Sequence, residues 1–140
     1  MGAEEDVGLL DSVSQSLPAL MEAQEISCRA VAAGFEWDTV DDIWEQLFSE
    51  VEEVREAQVS CSKQELEMEL GDMLFCAVNV CRRLGVDAES ALRASNAKFR
   101  RRWRYAEQAA RANKSSVEEL ATPEIQRLWD EAKQLEKTRE

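Results

Sequence analysis

Leu70-Gly71-Asp72-Met73-Leu74-Phe75-Cys76-Ala77-Val78-Asn79-Val80-Cys81 is the stretch on which the fold turns. Its apolar residues do not alternate with polar ones, so a half-buried strand is excluded and a helix is expected. Only Asp72 and Asn79 are strongly polar. They stand seven positions apart, which at about 100° per residue puts them on one helical face. Spacing of three and four adds Glu65, Glu69 and Cys76 to that face, flanked by Met68 and Phe75. Leu66, Leu70, Met73, Leu74 and Ala77 form the apolar stripe opposite. A helix apolar on nearly all sides is expected to be buried. An unpaired buried Asp72 would be costly, so a cation or a donor is expected to face it.

Working outward, four further helices are predicted. Ser16 reads as an N-cap with Pro18 in the first turn, opening a helix over about 17–33 that stops at Gly34. Phe35-Glu36-Trp37 follows as a short segment whose aromatics lock a loop onto the core. Asp38 or Thr39 caps a second helix ending near Ser60, with Val40, Ile43, Trp44, Leu47, Val51 and Val54 on its apolar face. Ser62 and Glu65 form a capping box for the third, which closes at Leu84-Gly85. Asp87 caps a fourth through about Ala112, its inner face Leu92, Phe99, Trp103, Ala106 and Ala110. After a polar break at 113–117, Thr122-Pro123 starts the last, with Ile125, Leu128, Trp129, Ala132 and Leu135 on one face. The class is therefore all-α, a four-helix-bundle-like core with an additional C-terminal helix. Residues 1–15 read as a flexible lead-in and 16–140 as one domain. Five apolar faces and four tryptophans are more than one thin bundle hides, so a homodimer through helix pairing is expected.

Composition narrows the chemistry. With 140 residues the chain has room for one sizeable core. It contains no histidine, which excludes a His base, a Ser-His pair and a His-bound zinc. Residues 1–90 carry 21 acidic and 5 basic side chains, residues 91–140 carry 8 and 12, and the net charge is −12. That balance argues against nucleic acid or anionic membrane as partner, while the acidic half suits cations and the basic segment suits anions. Cys28, Cys61, Cys76 and Cys81 form no C-x-x-C pair and read as free thiols of a reducing, cytoplasmic setting. There is no transmembrane span and no signal peptide.

The second helix offers a counterpart to the acidic face of the third. Glu45, Glu52 and Glu56 project to solvent, whereas Glu50 lies on the shoulder of the apolar stripe with Glu53 about 60° further round. Glu50 and Glu53 facing Glu69 and Asp72 would make a cluster of four carboxylates between antiparallel helices. Such all-oxygen ligands suit Mg²⁺, or Mn²⁺ in its place. On the fourth helix Lys98 and Arg102 form an i,i+4 pair that could reach metal-held phosphates, while Arg100, Arg101 and Arg104 suit a solvated face.

These residues, in this order, resemble the MazG family of nucleoside triphosphate pyrophosphohydrolases. The resemblance runs from about Leu17 to Lys133. It rests on Glu50-x-x-Glu53, a gap of 15 residues, Glu69-x-x-Asp72, and the strings at 69–75, 78–80, 94–99 and 128–133. Residues 18–21 and 34–37 resemble the C-terminal domain of two-domain members more than the N-terminal one. The resemblance implies an all-α dimer that cleaves a nucleoside triphosphate to the monophosphate and pyrophosphate with Mg²⁺. It implies metal ligands at Glu50, Glu53, Glu69 and Asp72, and phosphate contacts at Lys98 and Arg102. Asn79 and Asn96 would orient ligand, and Trp129 and Lys133 would meet base or phosphate. Where some members carry a lysine one turn before the second acidic pair, this chain has Glu65, and Lys63 is out of register.

The chemistry agrees with the residues: water attack at the α-phosphorus needs charge neutralisation and a base, for which Glu53 or Glu50 is the candidate. The alternative from another class is a non-catalytic helical dimerisation or nucleotide-sensing module, its acidic cluster satisfied by Lys98 and Arg102 as an ion-pair network. A third is a pyrophosphatase of narrower substrate, such as dUTP, dCTP or phosphoribosyl-ATP.

Overall fold

A computed structural model describes residues 7–60 and 62–139. Among the described residues the regular structure is helical: α1 (Ala19–Ala32), α2 (Val40–Ser60), α3 (Lys63–Arg83), α4 (Ala88–Ala112), a single 3-10 turn (Val117–Glu119) and α5 (Thr122–Thr138). By its internal contacts the chain, which the sequence reads as one domain over 16–140, divides into two compact units, within 1–91 and 92–140. The lead-in covers 1–15, of which 1–6 lie outside the described residues. Residues 9–13 turn, closed by Asp11 N–H to the Gly8 carbonyl, and Val13 is buried.

In the first unit α3 packs against α2 and, less extensively, against α1. Both ends of this arrangement are written in local chemistry. Thr39 Oγ1 accepts from Asp42 N–H at 3.2 Å while Asp42 Oδ2 accepts from Thr39 N–H at 3.1 Å, a reciprocal cap on α2. Ser62 caps α3 by accepting from Glu65 N–H at 3.3 Å, and Asp87 caps α4 by accepting from Ser90 N–H at 3.1 Å. Gly34 (φ 105°) and Gly85 (φ 73°) end α1 and α3 in the left-handed conformation, with the following N–H returning to Ala30 and Cys81 carbonyls. Two expected caps move. Ser16 belongs to a turn with Ser14, and Pro18 is the N-cap of α1, without a side-chain bond. Ala121 rather than Thr122 caps α5, with the proline in its first turn.

The expected burial of α3 is corrected. Its buried positions are Cys76, Val78, Asn79 and Val80, in the C-terminal half, and Leu70 and Leu74 of the supposed core stripe are exposed. Two neighbouring helices cover only part of a helix's circumference, and here the cover reaches Cys76 and Asn79 while Leu70, Asp72 and Leu74 stay open. Ile43 is the only large side chain fully buried among the described residues. Trp37 is half-buried, but Phe35, 71% exposed, does not pin the 35–37 segment. Charge does: Arg82 holds Glu36 bidentately at 2.6 and 2.9 Å, and Arg83 donates to the carbonyls of Trp37 and Asp38.

In the second unit Ala106, Ala110, Val117 and Leu128 form a core, with Tyr105, Ala109, Leu120 and Ile125 packed against it. Of the inner face expected for α4, Ala106 and Ala110 are buried, whereas Leu92, Phe99 and Trp103 are exposed.

Candidate active site

Glu50 of α2 and Glu69 and Asp72 of α3 each bring a carboxylate oxygen within 4.8 Å of the other two. The i,i+3 spacing of Glu69 and Asp72 aims both at α2, and the shoulder position of Glu50 returns the approach. Glu50 Oε2 and Glu69 Oε2 are buried and have no hydrogen-bond partner. Two orphaned anionic oxygens beside a third carboxylate are costly unless a cation joins them, and only oxygen is offered. The residues therefore fit a hard divalent cation. Burial pushes the Glu50 carboxyl above its ordinary range; the amide of Gln46, donating at 3.0 Å, opposes this, and the neighbouring Glu53 and Asp72 add to it.

Two expectations change here. Glu53 is exposed and stands outside the trio, close enough to Glu50 for its charge to act on that carboxyl. Asp72, expected to be the buried acid, is exposed, and the buried oxygens are those of the glutamates. The short aspartate sits where α3 is still open to solvent, while the longer side chains reach in between the helices.

Beside the trio lies a cavity of about 360 Å³, within the roughly 300–1,000 Å³ usual for small-molecule sites. Glu50, Asp72 and Gln46 line one part of it, Phe35, Trp37 and Phe75 give it aromatic surface, and Ser27, Cys76 and Asn79 add polar and thiol groups. Burial, then the charges of Glu50, Asp72 and Glu53, hold the Cys76 thiol above its ordinary range, so it stays neutral. Ser27 Oγ donates to Asn79 Oδ1 at 2.6 Å, and Arg82 Nε donates to Ser27 Oγ at 2.7 Å.

The other predicted site residues belong to the second unit. Asn96, Lys98 and Lys133 are exposed. Arg102 is paired with Glu136 at 3.0 Å, which holds the Glu136 carboxyl below its ordinary range. Trp129 is half-buried against Phe99, ring centroids 4.6 Å apart. Among the described residues of the first unit no basic side chain pairs with Glu50, Glu69 or Asp72. A wider groove of about 660 Å³ along α5 is lined by Tyr105, Arg127 and Glu131 among others. Tyr105 and Arg127 both donate to Glu131 there, at 3.0 and 2.6 Å, and Gln126 donates to Asp130 at 3.0 Å.

Residues 38–106 match the MazG nucleotide pyrophosphohydrolase domain, a stretch that contains the whole acidic trio. The chain is 38% identical over 131 residues to the nucleoside triphosphate pyrophosphohydrolase of Escherichia coli K12, covering 91% of this chain and 49% of that protein. It belongs to the MazG family. A second relative, the nucleoside triphosphate pyrophosphohydrolase/pyrophosphatase MazG of Thermotoga maritima, is 35% identical over 124 residues, 89% of this chain and 48% of its own length. The chain spans about half the length of the curated relatives it matches. For a MazG-family chain the acidic pairs were legible from spacing, but the cavity was not. Ser27, Gln46 and Arg82 carry no motif, and Trp37, expected to help lock a loop onto the core, lines the cavity. The signal that could have found them is Arg82, a cation at the end of an otherwise apolar helical stretch that needs a carboxylate brought from elsewhere in the chain.

Proposed function

We propose that this chain hydrolyses nucleoside and deoxynucleoside triphosphates to the monophosphate and pyrophosphate, with Mg²⁺, or Mn²⁺ in its place, held by Glu50, Glu69 and Asp72 and by Glu53 at its edge. One observation carries the proposal: two buried, unpartnered carboxylate oxygens stand beside a third carboxylate at the wall of an aromatic cavity. The bond formed joins a water oxygen to the α-phosphorus, and the bond broken is that to the α,β-bridging oxygen, which leaves with pyrophosphate. A divalent cation supplies positive charge against the triphosphate and acidifies the attacking water. Glu53, exposed beside Glu50, is free to take the water's proton, and Glu50 is the second candidate. The cavity receives the base, its rings excluding water, and Asn79 orients it.

Lys98 and Arg102 are proposed as phosphate-binding residues, Arg102 exchanging Glu136 for phosphate oxygen. Asn96, Trp129 and Lys133 are proposed as further substrate contacts. The working form is proposed to be a cytoplasmic homodimer serving nucleotide-pool housekeeping, formed by the C-terminal-type domain of the family. No helix among the described residues is long and apolar enough to cross a membrane. The test is pyrophosphate release from a panel of triphosphates, with the monophosphate as co-product. Turnover should need Mg²⁺, stop with EDTA, and be lost in Glu69→Gln. A folded wild-type chain that releases no pyrophosphate from any member of the panel overturns the proposal.

A further inference from the structure

We propose that Asn79 selects the base by donating from its amide nitrogen to an exocyclic carbonyl oxygen, and that Glu36, Arg82 and Ser27 are positioning residues that keep the amide turned that way. The inference rests on the proposed hydrolysis only in placing a base in the cavity.

The orientation follows from counting donors. A guanidinium only donates. Two nitrogens of Arg82 are committed to the two oxygens of Glu36, at 2.6 and 2.9 Å, which leaves Nε–H directed at Ser27 Oγ, 2.7 Å away. Ser27 accepts there, so its own hydrogen goes on to Asn79 Oδ1 at 2.6 Å. The carbonyl of the Asn79 amide is thereby spent. Its Nδ2 keeps two N–H groups with no partner among the described residues, on a side chain only 4% exposed that lines the cavity. A donor on a buried residue that lines this largely apolar, aromatic cavity favours a ligand acceptor and penalises a ligand donor in its place. On the wall nearer the acids, one N–H of the Gln46 amide goes to Glu50 Oε1 at 3.0 Å, which fixes the amide's orientation and leaves its oxygen as an acceptor, with the second N–H still to place. The cavity thus offers a donor at Asn79 and an acceptor at Gln46. An exocyclic oxo group suits the first, and an exocyclic amino group does not.

Matched pairs isolate this term, because UTP and CTP differ at one exocyclic position and its ring nitrogen, as do ITP and ATP. Initial rates would give kcat and KM for all four, with wild type, Asn79→Asp and Ser27→Ala. Binding of UMP, CMP, IMP and AMP would be followed in parallel by quenching of tryptophan fluorescence, Trp37 lining the cavity. Wild type should favour the oxo member of each pair by about tenfold, the worth of one hydrogen bond, with the difference in KM rather than kcat. Asn79→Asp, which replaces the donor with an acceptor, should reverse the preference. Ser27→Ala, which frees the amide to turn over, should bring the ratio near one. A purely structural role would lower all four rates together and leave the ratios in place. Equal use of both members by wild type, an amino preference, or wild-type ratios in folded Ser27→Ala each overturn the inference. A chain that turns over no triphosphate defeats the proposed function instead, and the monophosphate binding ratios then decide the base preference alone. Failure of Asn79→Asp to fold leaves Ser27→Ala to decide.

Discussion

Glu50 shows how one carboxylate can be set against its own fold. One oxygen is held by Gln46, the other is buried without a partner, and Glu53 and Asp72 crowd it. Glu50→Gln keeps the shape and removes the charge. In EDTA it should melt at or above wild type, by about 1 kcal/mol at most. Mg²⁺ at 100-fold over its Kd should add roughly 2.7 kcal/mol to wild type and far less to the variant. Paired melts with EDTA and with Mg²⁺ test this, and an equal Mg²⁺ gain in both proteins counts against the cation site. Glu52→Gln is the control, because its 3.1 Å pair with Arg55 is solvent-exposed and worth little. Glu36 is the opposite case. Its hydrogen bonds to Arg82 hold its carboxyl below the ordinary 4.5, against the effect of burial. A depressed carboxylate stabilises the fold above that ordinary value, and the contribution is lost as pH falls through the lower folded value. The stability gap between wild type and Glu36→Gln should therefore be constant above about pH 5 and shrink steadily below 4.5. A gap that widens in acid would contradict the assignment.

At the scale of elements, helix ends carry local signals of different quality. The Thr39–Asp42 cap opens the helix that bears Glu50, and Thr39→Ala should cost about 1 kcal/mol in denaturant unfolding. The C-terminus of α4 uses no glycine. Lys114 adopts φ 56° there, with the next N–H returning to the Ala110 carbonyl. A lysine pays for the left-handed conformation where glycine does not, so Lys114→Gly should stabilise by roughly 0.5–1 kcal/mol despite the greater freedom of its unfolded chain. Unchanged or lower stability would mean that the lysine side chain contributes more at that end than its backbone costs.

For the whole molecule, apolar surface is the unsolved term. Phe48 is 61% exposed and stacked on Trp44, and Met68 and Leu74 on α3 are 65% and 56% exposed. Isolated exposed hydrophobics are ordinary, but such a concentration on the two helices that carry the acids asks for cover. A second copy of the chain is the proposed cover. Sedimentation at micromolar concentration should give a dimer, and Phe48→Glu or Leu74→Glu should weaken it with little loss of monomer helicity. A wild-type monomer that still releases pyrophosphate would remove the dimer from the proposal.

Residue order alone was enough for the helical class, the glycine stops at Gly34 and Gly85, a cap at Asp38 or Thr39, the caps at Ser62 and Asp87, and the pairing of α2 acids with α3 acids. Each of these depends on neighbours within a turn or two, or on a period that residue spacing displays directly. Tertiary structure decided which face of α3 turned inward, because an all-round apolar helix contains no record of where its partners run out. It also decided that Asp72 is the open acid and Glu50 and Glu69 the enclosed ones. The chain from Glu36 through Arg82 and Ser27 to Asn79 joins residues up to 55 positions apart, and only the packing of α1, α3 and the segment after α1 brings them within hydrogen-bond reach.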